Sequence, residues 1–174
     1  MAERLTISMI EEEIKVYDEY IEIPFTTQDK EVKVRLYPFF SPVTIRDIVA
    51  DLSEFLNNVQ KENVDYDDKE FDDIVAYFIL RHCTDIKFTK SKKAKTLYKE
   101  FKTVIKSKNI QTIINLIPEE SIQEVYDRIF KEAELKAKFI DRIKQIQEQI
   151  KELPLENRDI LFDEENNADK ESVE

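Results

Sequence analysis

Glycine is absent from all 174 residues, and that absence excludes more than any motif present. Loops that cradle phosphates need glycine where the backbone closes on a ligand or takes positive φ. The elbow that presents a nucleophilic serine needs it for a strained turn. A dinucleotide fingerprint, a Walker loop and a G-x-S-x-G elbow are all impossible here. Tryptophan is missing too, and cysteine and histidine occur once each, as Cys83 and His82. One cysteine excludes an internal disulfide and a cysteine-ligated zinc, and one histidine removes most imidazole-based sites. Neighbours in sequence rarely reach one site productively, so we read His82 and Cys83 as core or helix-end residues. No stretch approaches 18 consecutive apolar residues, and the N-terminal segment lacks the apolar core of a secretion signal. We therefore expect a cytoplasmic, non-enzymatic protein with no membrane segment, cofactor, metal site or catalytic residue.

What the chain does have is charge and helical periodicity. It is 41% hydrophobic and 37% charged, with a net charge of −11. We expect a single helical domain over residues 1–154 and an acidic, disordered tail over 155–174. The stretch Glu119–Leu153 lies between Pro118 and Pro154 and organises the rest. Ser121 and Glu124 have capping-box spacing. Counted in sevens from Ile122, one seam position reads Ile122, Ile129, Lys136, Ile143, Ile150, and the other Val125, Glu132, Phe139, Ile146, Leu153. That pattern predicts one continuous helix over about 119–153. A second stripe, Tyr126, Phe130, Ala133, Ala137 and Ile140, widens the apolar face up to Ile140, and a broad face belongs inside a domain. Substituting aspartate at Ile129 or Phe139 is then expected to unfold it. Beyond, only Ile143, Ile146, Ile150 and Leu153 remain, between polar flanks. A narrow stripe suits a two-helix contact, so these four are the candidate partner-binding edge. The alternative is that this end packs on the protein's own body.

Read in order, the chain starts acidic, with Leu5, Ile7 and Met9 alternating, which predicts an extended or frayed beginning. Val32, Val34 and Leu36 alternate with Lys33 and Arg35, the pattern of a half-buried strand. With Tyr20–Phe25 before it, this predicts a β-hairpin over about 20–37, which must lean on later helices to be stable. Ser41 as N-cap and Pro42 in the first turn start a helix over about 42–60. Seven acids lie between Lys61 and Asp73, but a calcium loop of the EF-hand type needs a glycine at its sixth position. We read the stretch as a solvated loop with acids at the positive end of the next helix, about 69–82. Helices over about 91–107 and 109–117 follow. Ile160-Leu161-Phe162, set in acid, is either a short docking motif or a cover for the domain's end.

From Lys87 to Lys108 nine lysines face Glu100 alone. Ala94, Leu97, Tyr98, Phe101, Val104 and Ile105 form the buried side of that helix, so Lys92, Lys95, Lys99, Lys102 and Lys106 make an outer electrostatic face. A nucleic-acid surface is one reading. The run holds no arginine and the molecule is acidic, so we favour pairing with acidic segments, on this chain or a partner.

The whole is mostly α, a multi-helix domain with one long C-terminal helix and a small N-terminal β-hairpin. The β-start ending in Val32-Lys33-Val34-Arg35-Leu36-Tyr37-Pro38-Phe39, the Pro42-Val43-Thr44-Ile45-Arg46-Asp47-Ile48 helix start, the short helices, the long helix and the acidic tail resemble the tail assembly chaperones of long-tailed bacteriophages of Gram-positive hosts. The resemblance spans roughly residues 20–153 and lies in pattern and composition. It implies a non-enzymatic protein that binds the long, helical, aggregation-prone tape-measure protein in the host cytoplasm and recruits tail-tube subunits. Another phage structural protein or a dimerising helical adaptor is the alternative, and a nucleic-acid-binding regulator a more distant one.

Overall fold

A computed structural model describes residues 4–27 and 30–152, with side chains as far as Ile150. It contains six α-helices and one antiparallel hairpin: α1 (Ile7–Glu13), β1 (Ile21–Thr27), β2 (Lys30–Leu36), α2 (Pro42–Lys61), α3 (Phe71–Cys83), α4 (Ala94–Val104), α5 (Lys108–Ile114) and α6 (Glu119–Glu152). Residues 1–130 form one compact unit, and a second begins at Lys131.

In the first unit, α3 is the central element. Its run Ile74, Val75, Tyr77, Phe78, Ile79, Leu80 is buried almost all round, as a helix must be when other elements cover every side. In one core with it are Ile48, Val49, Leu52 and Phe55 of α2, Leu97 and Phe101 of α4, Ile113 of α5 and Val125 of α6. Ser41 caps α2 by accepting from the Thr44 N–H at 3.1 Å, with Pro42 in the first turn. At its other end Asn63 takes φ 48°, and the N–H groups of Asn63 and Val64 donate to the Gln60 and Val59 carbonyls. That is a Schellman closure, with asparagine supplying the left-handed residue that glycine usually provides.

The hairpin register sets Ile21 opposite Leu36, Ile23 opposite Val34 and Phe25 opposite Val32, so the alternating apolar side chains share one face. Its support comes from the exit of α3. Arg35 N–H donates to Asp85 Oδ1 at 2.8 Å, Asp85 N–H returns to the Arg35 carbonyl at 3.2 Å, and Tyr37 N–H reaches the Cys83 carbonyl at 2.8 Å.

Four local expectations change. The N-terminal start is helical: Thr6 accepts from the Met9 N–H and begins α1. The alternation of Leu5, Ile7 and Met9 implied an extended or frayed start, but Leu5 and Ile7 are 72% and 71% exposed, and no sheet face among the described residues needs them. Several helices have shifted ends. Residues 68–70 form a separate 3-10 turn before α3, while α4 and α5 stop at Val104 and Ile114. Carboxylate capping sets the start of α4, since Glu62 accepts the N–H groups of both Ala94 and Lys95. Nor does the capping box form. The helix starts at Glu119, two residues earlier, and Ser121, 5% exposed, donates its hydroxyl to the Pro38 carbonyl at 2.8 Å.

The fourth change concerns α6. Ser121, Ile122, Val125, Tyr126 and Ile129 pack as expected. From there the broad face is not buried, and Phe139 is 66% exposed. The core of the first unit is already closed by α2 to α5 and the opening turns of α6. The predicted unfolding therefore belongs to the early turns and not to Phe139. In the second unit, α6 from Lys131 to Glu152 is the described element. Leu153 and the tail 155–174 lie outside the described residues.

Candidate functional site

The second half of α6 carries the candidate edge. Ile143 and Ile146 are exposed and Ile150 half-buried, while the fourth member, Leu153, is outside the described residues. The exposed apolar surface is larger than the narrow stripe, because Leu135, Phe139 and Ile140 join it, and Phe130 of the first unit is also exposed. Sequence reasoning had placed Phe130, Phe139 and Ile140 in the core and passed over Leu135. The signal that could have shown otherwise was Glu132 and Lys136. Two charged side chains on a seam are costly inside a core and tolerable at an edge that meets water.

The lysine helix is built differently, with acidic neighbours from its own unit. Lys92 Nζ lies 2.8 Å from Glu54 of α2. Lys102 pairs with Glu70, which also accepts from the Tyr98 hydroxyl at 2.7 Å. The hydrogen bond from Lys102, then that from Tyr98, holds the Glu70 carboxyl below the usual range, and Glu70 in turn raises Lys102. Glu62 is lowered by the backbone N–H bonds of Lys95 and Ala94. Lys95, Lys99 and Lys106 present exposed side chains. Several acids of the 61–73 stretch thus have structural tasks. Asp67 accepts from the Lys69 N–H at 3.0 Å, and Asp72 and Asp73 sit in the first turn of α3.

A polar network that sequence reasoning missed pins the loop between α3 and α4. Glu100 accepts from the Tyr77 hydroxyl at 2.7 Å, from Arg81 at 2.9 Å and from the Thr89 N–H at 2.7 Å. Arg81 also donates to the Thr89 carbonyl at 2.8 Å and lies over the rings of Tyr77 and Phe88. Burial, then the bond to Glu100, pushes the Tyr77 phenol well above its ordinary value. The sequence signal was there: Glu100 is the one acid in a run of lysines.

His82 and Cys83 do separate things. His82 Nε2 pairs with Asp51 at 2.9 Å, whereas Cys83 is buried and its thiol is pushed up to about 12 by burial. A thiol so protonated at neutral pH is a poor nucleophile. Among the described residues no cluster of three metal-ligating side chains occurs, and no helix is long and apolar enough to cross a membrane.

Fold and surface together define a mostly helical protein with an N-terminal hairpin, whose most distinctive exposed feature is the edge of one long helix. The YomO family model matches residues 7–169, and the chain belongs to that family. Among its relatives is the SPbeta prophage-derived protein YomO of Bacillus subtilis (strain 168), 24% identical over 126 residues that cover 72% of this chain and 73% of the relative. The setting is therefore that of phage-derived proteins. No solved structure matches the chain.

Proposed function

We propose that this protein is a non-enzymatic assembly chaperone of phage tail morphogenesis, working in the host cytoplasm. It binds the helical tape-measure protein along the α6 edge and keeps that chain soluble, with tail-tube subunits as further partners. The observation that carries this reading is the exposed stripe Phe139, Ile140, Ile143 and Ile146 on one helix, which suits an amphipathic partner helix laid alongside. Kinship with a prophage-derived protein supports the phage setting. A strongly charged molecule of net −11 favours solubility of the complex.

A second reading, a dimerising adaptor using the same edge, is favoured by the heptad spacing. A parallel pair would set Glu132 against Glu132 and Lys136 against Lys136 in the seam, which opposes it. The test is co-expression with tape-measure fragments from the same genome, alongside a light-scattering mass of the protein alone. A soluble complex that Ile146→Asp/Ile150→Asp abolishes is expected. No complex, with a dimer that the same double substitution dissociates, would replace the chaperone by the adaptor.

A further inference from the structure

Three stretches far apart in sequence meet at one hollow of the first unit. Glu19, Tyr20 and Ile21 lead into β1, Pro38 and Phe39 follow β2, and Leu116 and Pro118 lie between α5 and α6; together they line a space of about 210 Å³. Tyr20, Ile21, Phe39 and Leu116 are each left half-exposed around it. The walls are held in place. The Tyr20 ring lies 5.7 Å from that of Tyr37, with the Arg35 guanidinium 4.7 Å over it, and the Ser121 hydroxyl ties the first turn of α6 to the Pro38 carbonyl. The border is acidic. Glu119 and Glu120 follow Pro118 directly and, with Gln123 and Glu124, line the next hollow along α6. Over residues 15–22, 33–39 and 115–124 the acids Asp18, Glu19, Glu22, Glu119, Glu120 and Glu124 outnumber the bases Lys15, Lys33 and Arg35. Lys33 and Arg35 share Glu22, at 3.3 and 3.6 Å. One turn further along α6, Asp127 and Arg128 cancel. The positive end of α6 offsets about half a charge, so the excess around the hollow stays negative.

We infer that this hollow docks a peptide segment of another protein, anchored by one bulky apolar side chain with Lys or Arg beside it. It is a second site, separate from the α6 edge, and does not rest on the role proposed for that edge. The size decides the kind of ligand. The hollow is below the roughly 300–1,000 Å³ of a small-molecule pocket, and an anchor side chain of a peptide would cover Tyr20, Ile21, Phe39 and Leu116 together. The charge decides the flanks. A base next to the anchor faces Glu19 on one side or Glu119 and Glu120 on the other, which selects the partner and speeds its approach. An acidic neighbour in the same place meets repulsion. Nucleic acid has the wrong sign. A second copy docked isologously would set this acidic border against itself, in a chain already at −11.

The test is selection of random dodecapeptides displayed on phage against the full chain carrying Ile146→Asp/Ile150→Asp, which removes the α6 edge as a competing surface. We expect the enriched peptides to share a bulky apolar residue with Lys or Arg within two positions. The most enriched one is then synthesised with a fluorescent label and titrated with the unaltered chain, binding being read by anisotropy. Phe39→Ala, at a half-exposed wall residue, is expected to abolish binding. Glu119→Gln/Glu120→Gln, which keeps the helix start, should weaken it about three- to tenfold and flatten its salt dependence. Glu31→Gln, near the turn of the hairpin, should leave it unchanged. No enrichment, a consensus without the base, or binding indifferent to both Phe39→Ala and the glutamine pair overturns the inference. A dimer of the unaltered chain that Phe39→Ala dissociates also overturns it, since the occupant would then be a second copy. The selection uses no tape-measure fragment, so its outcome stands apart from that of the co-expression test.

Discussion

Glu100→Ala tests the polar clamp that ties α3 to α4. The carboxylate accepts three hydrogen bonds, from Tyr77, Arg81 and the Thr89 N–H. Its side chain and that of Arg81 are only 24% and 15% exposed. Hydrogen bonds to a charged group contribute about 1.5–3 kcal/mol, and orphaned buried donors add a desolvation penalty. Loss of one partner from a fully buried ion pair costs about 3–5 kcal/mol, and water still reaches this one. Arg81 also keeps the Thr89 carbonyl as acceptor. We expect a loss of about 2–4 kcal/mol, or roughly 5–12 °C in Tm for a chain of this size. Thermal unfolding followed by circular dichroism reads it, with Lys92→Ala as control. The Lys92–Glu54 pair has side chains 74% and 43% exposed, and a surface pair of this kind contributes little. If Glu100→Ala lowers Tm no more than Lys92→Ala, the clamp is not holding the loop.

Three further outcomes follow from burial. Val125→Asp, at a position 0% exposed, places an unpaired carboxylate in the core and should cost more than about 4 kcal/mol. Phe139→Asp, at 66% exposed, should stay within about 1 kcal/mol, and equal losses in urea titrations would contradict the placement of α6. Cys83 should resist a thiol reagent at pH 8 in the folded protein and react fully in urea, since its native thiol is buried and pushed up to about 12. The sign of the linked stability follows from that raised value. The contribution is intact below the unfolded thiol pKa of about 8.5 and falls as pH rises toward the native one. Substituting Cys83→Ala should flatten part of the decline in chemical-denaturation stability between about pH 8.5 and 11, and an unchanged slope would count against it. At the acid end Glu70 works in the opposite direction. Its carboxyl is held low by Lys102 and Tyr98, so its contribution is present above about pH 4.3 and is lost below it as the carboxyl protonates. Glu70→Gln should make acid unfolding shallower.

Much of this architecture is legible in local chemistry. Ser41-Pro42 states a helix start, the alternation of Val32, Val34 and Leu36 states a strand, and the 3–4 spacing along α2 and α3 selects their buried faces. What misleads is pattern without context. Leu5, Ile7 and Met9 alternate, yet α1 offers them no sheet face. Ser121 and Glu124 have capping spacing, yet the Pro38 carbonyl, 83 residues away in sequence, takes the hydroxyl. Phe139 continues an apolar stripe whose burial depends on whether anything remains to cover it, and periodicity carries no information about supply. The edge residues Ile143 and Ile146 were recognisable because polar flanks narrow the stripe there. Glu100 was recognisable in principle as an acid isolated among bases, but its three donors come from parts of the chain that only the fold brings together.

The bridge between Leu36 and Thr84 has a consequence for the order of folding. A two-stranded ribbon in water is marginal, and the backbone groups that steady β2 belong to residues 83–85, which are positioned only once α3 has formed. Closing the bridge brings together two ends 48 residues apart in sequence, with all of α2 between them. The hairpin, early in the chain, is thus expected to be late in the folding reaction, with the ribbon joining after α2 and α3 have condensed. Amides of β1 and β2 should accordingly become protected from hydrogen exchange after those of α3 in a pulse-labelling experiment, even though they leave the ribosome first.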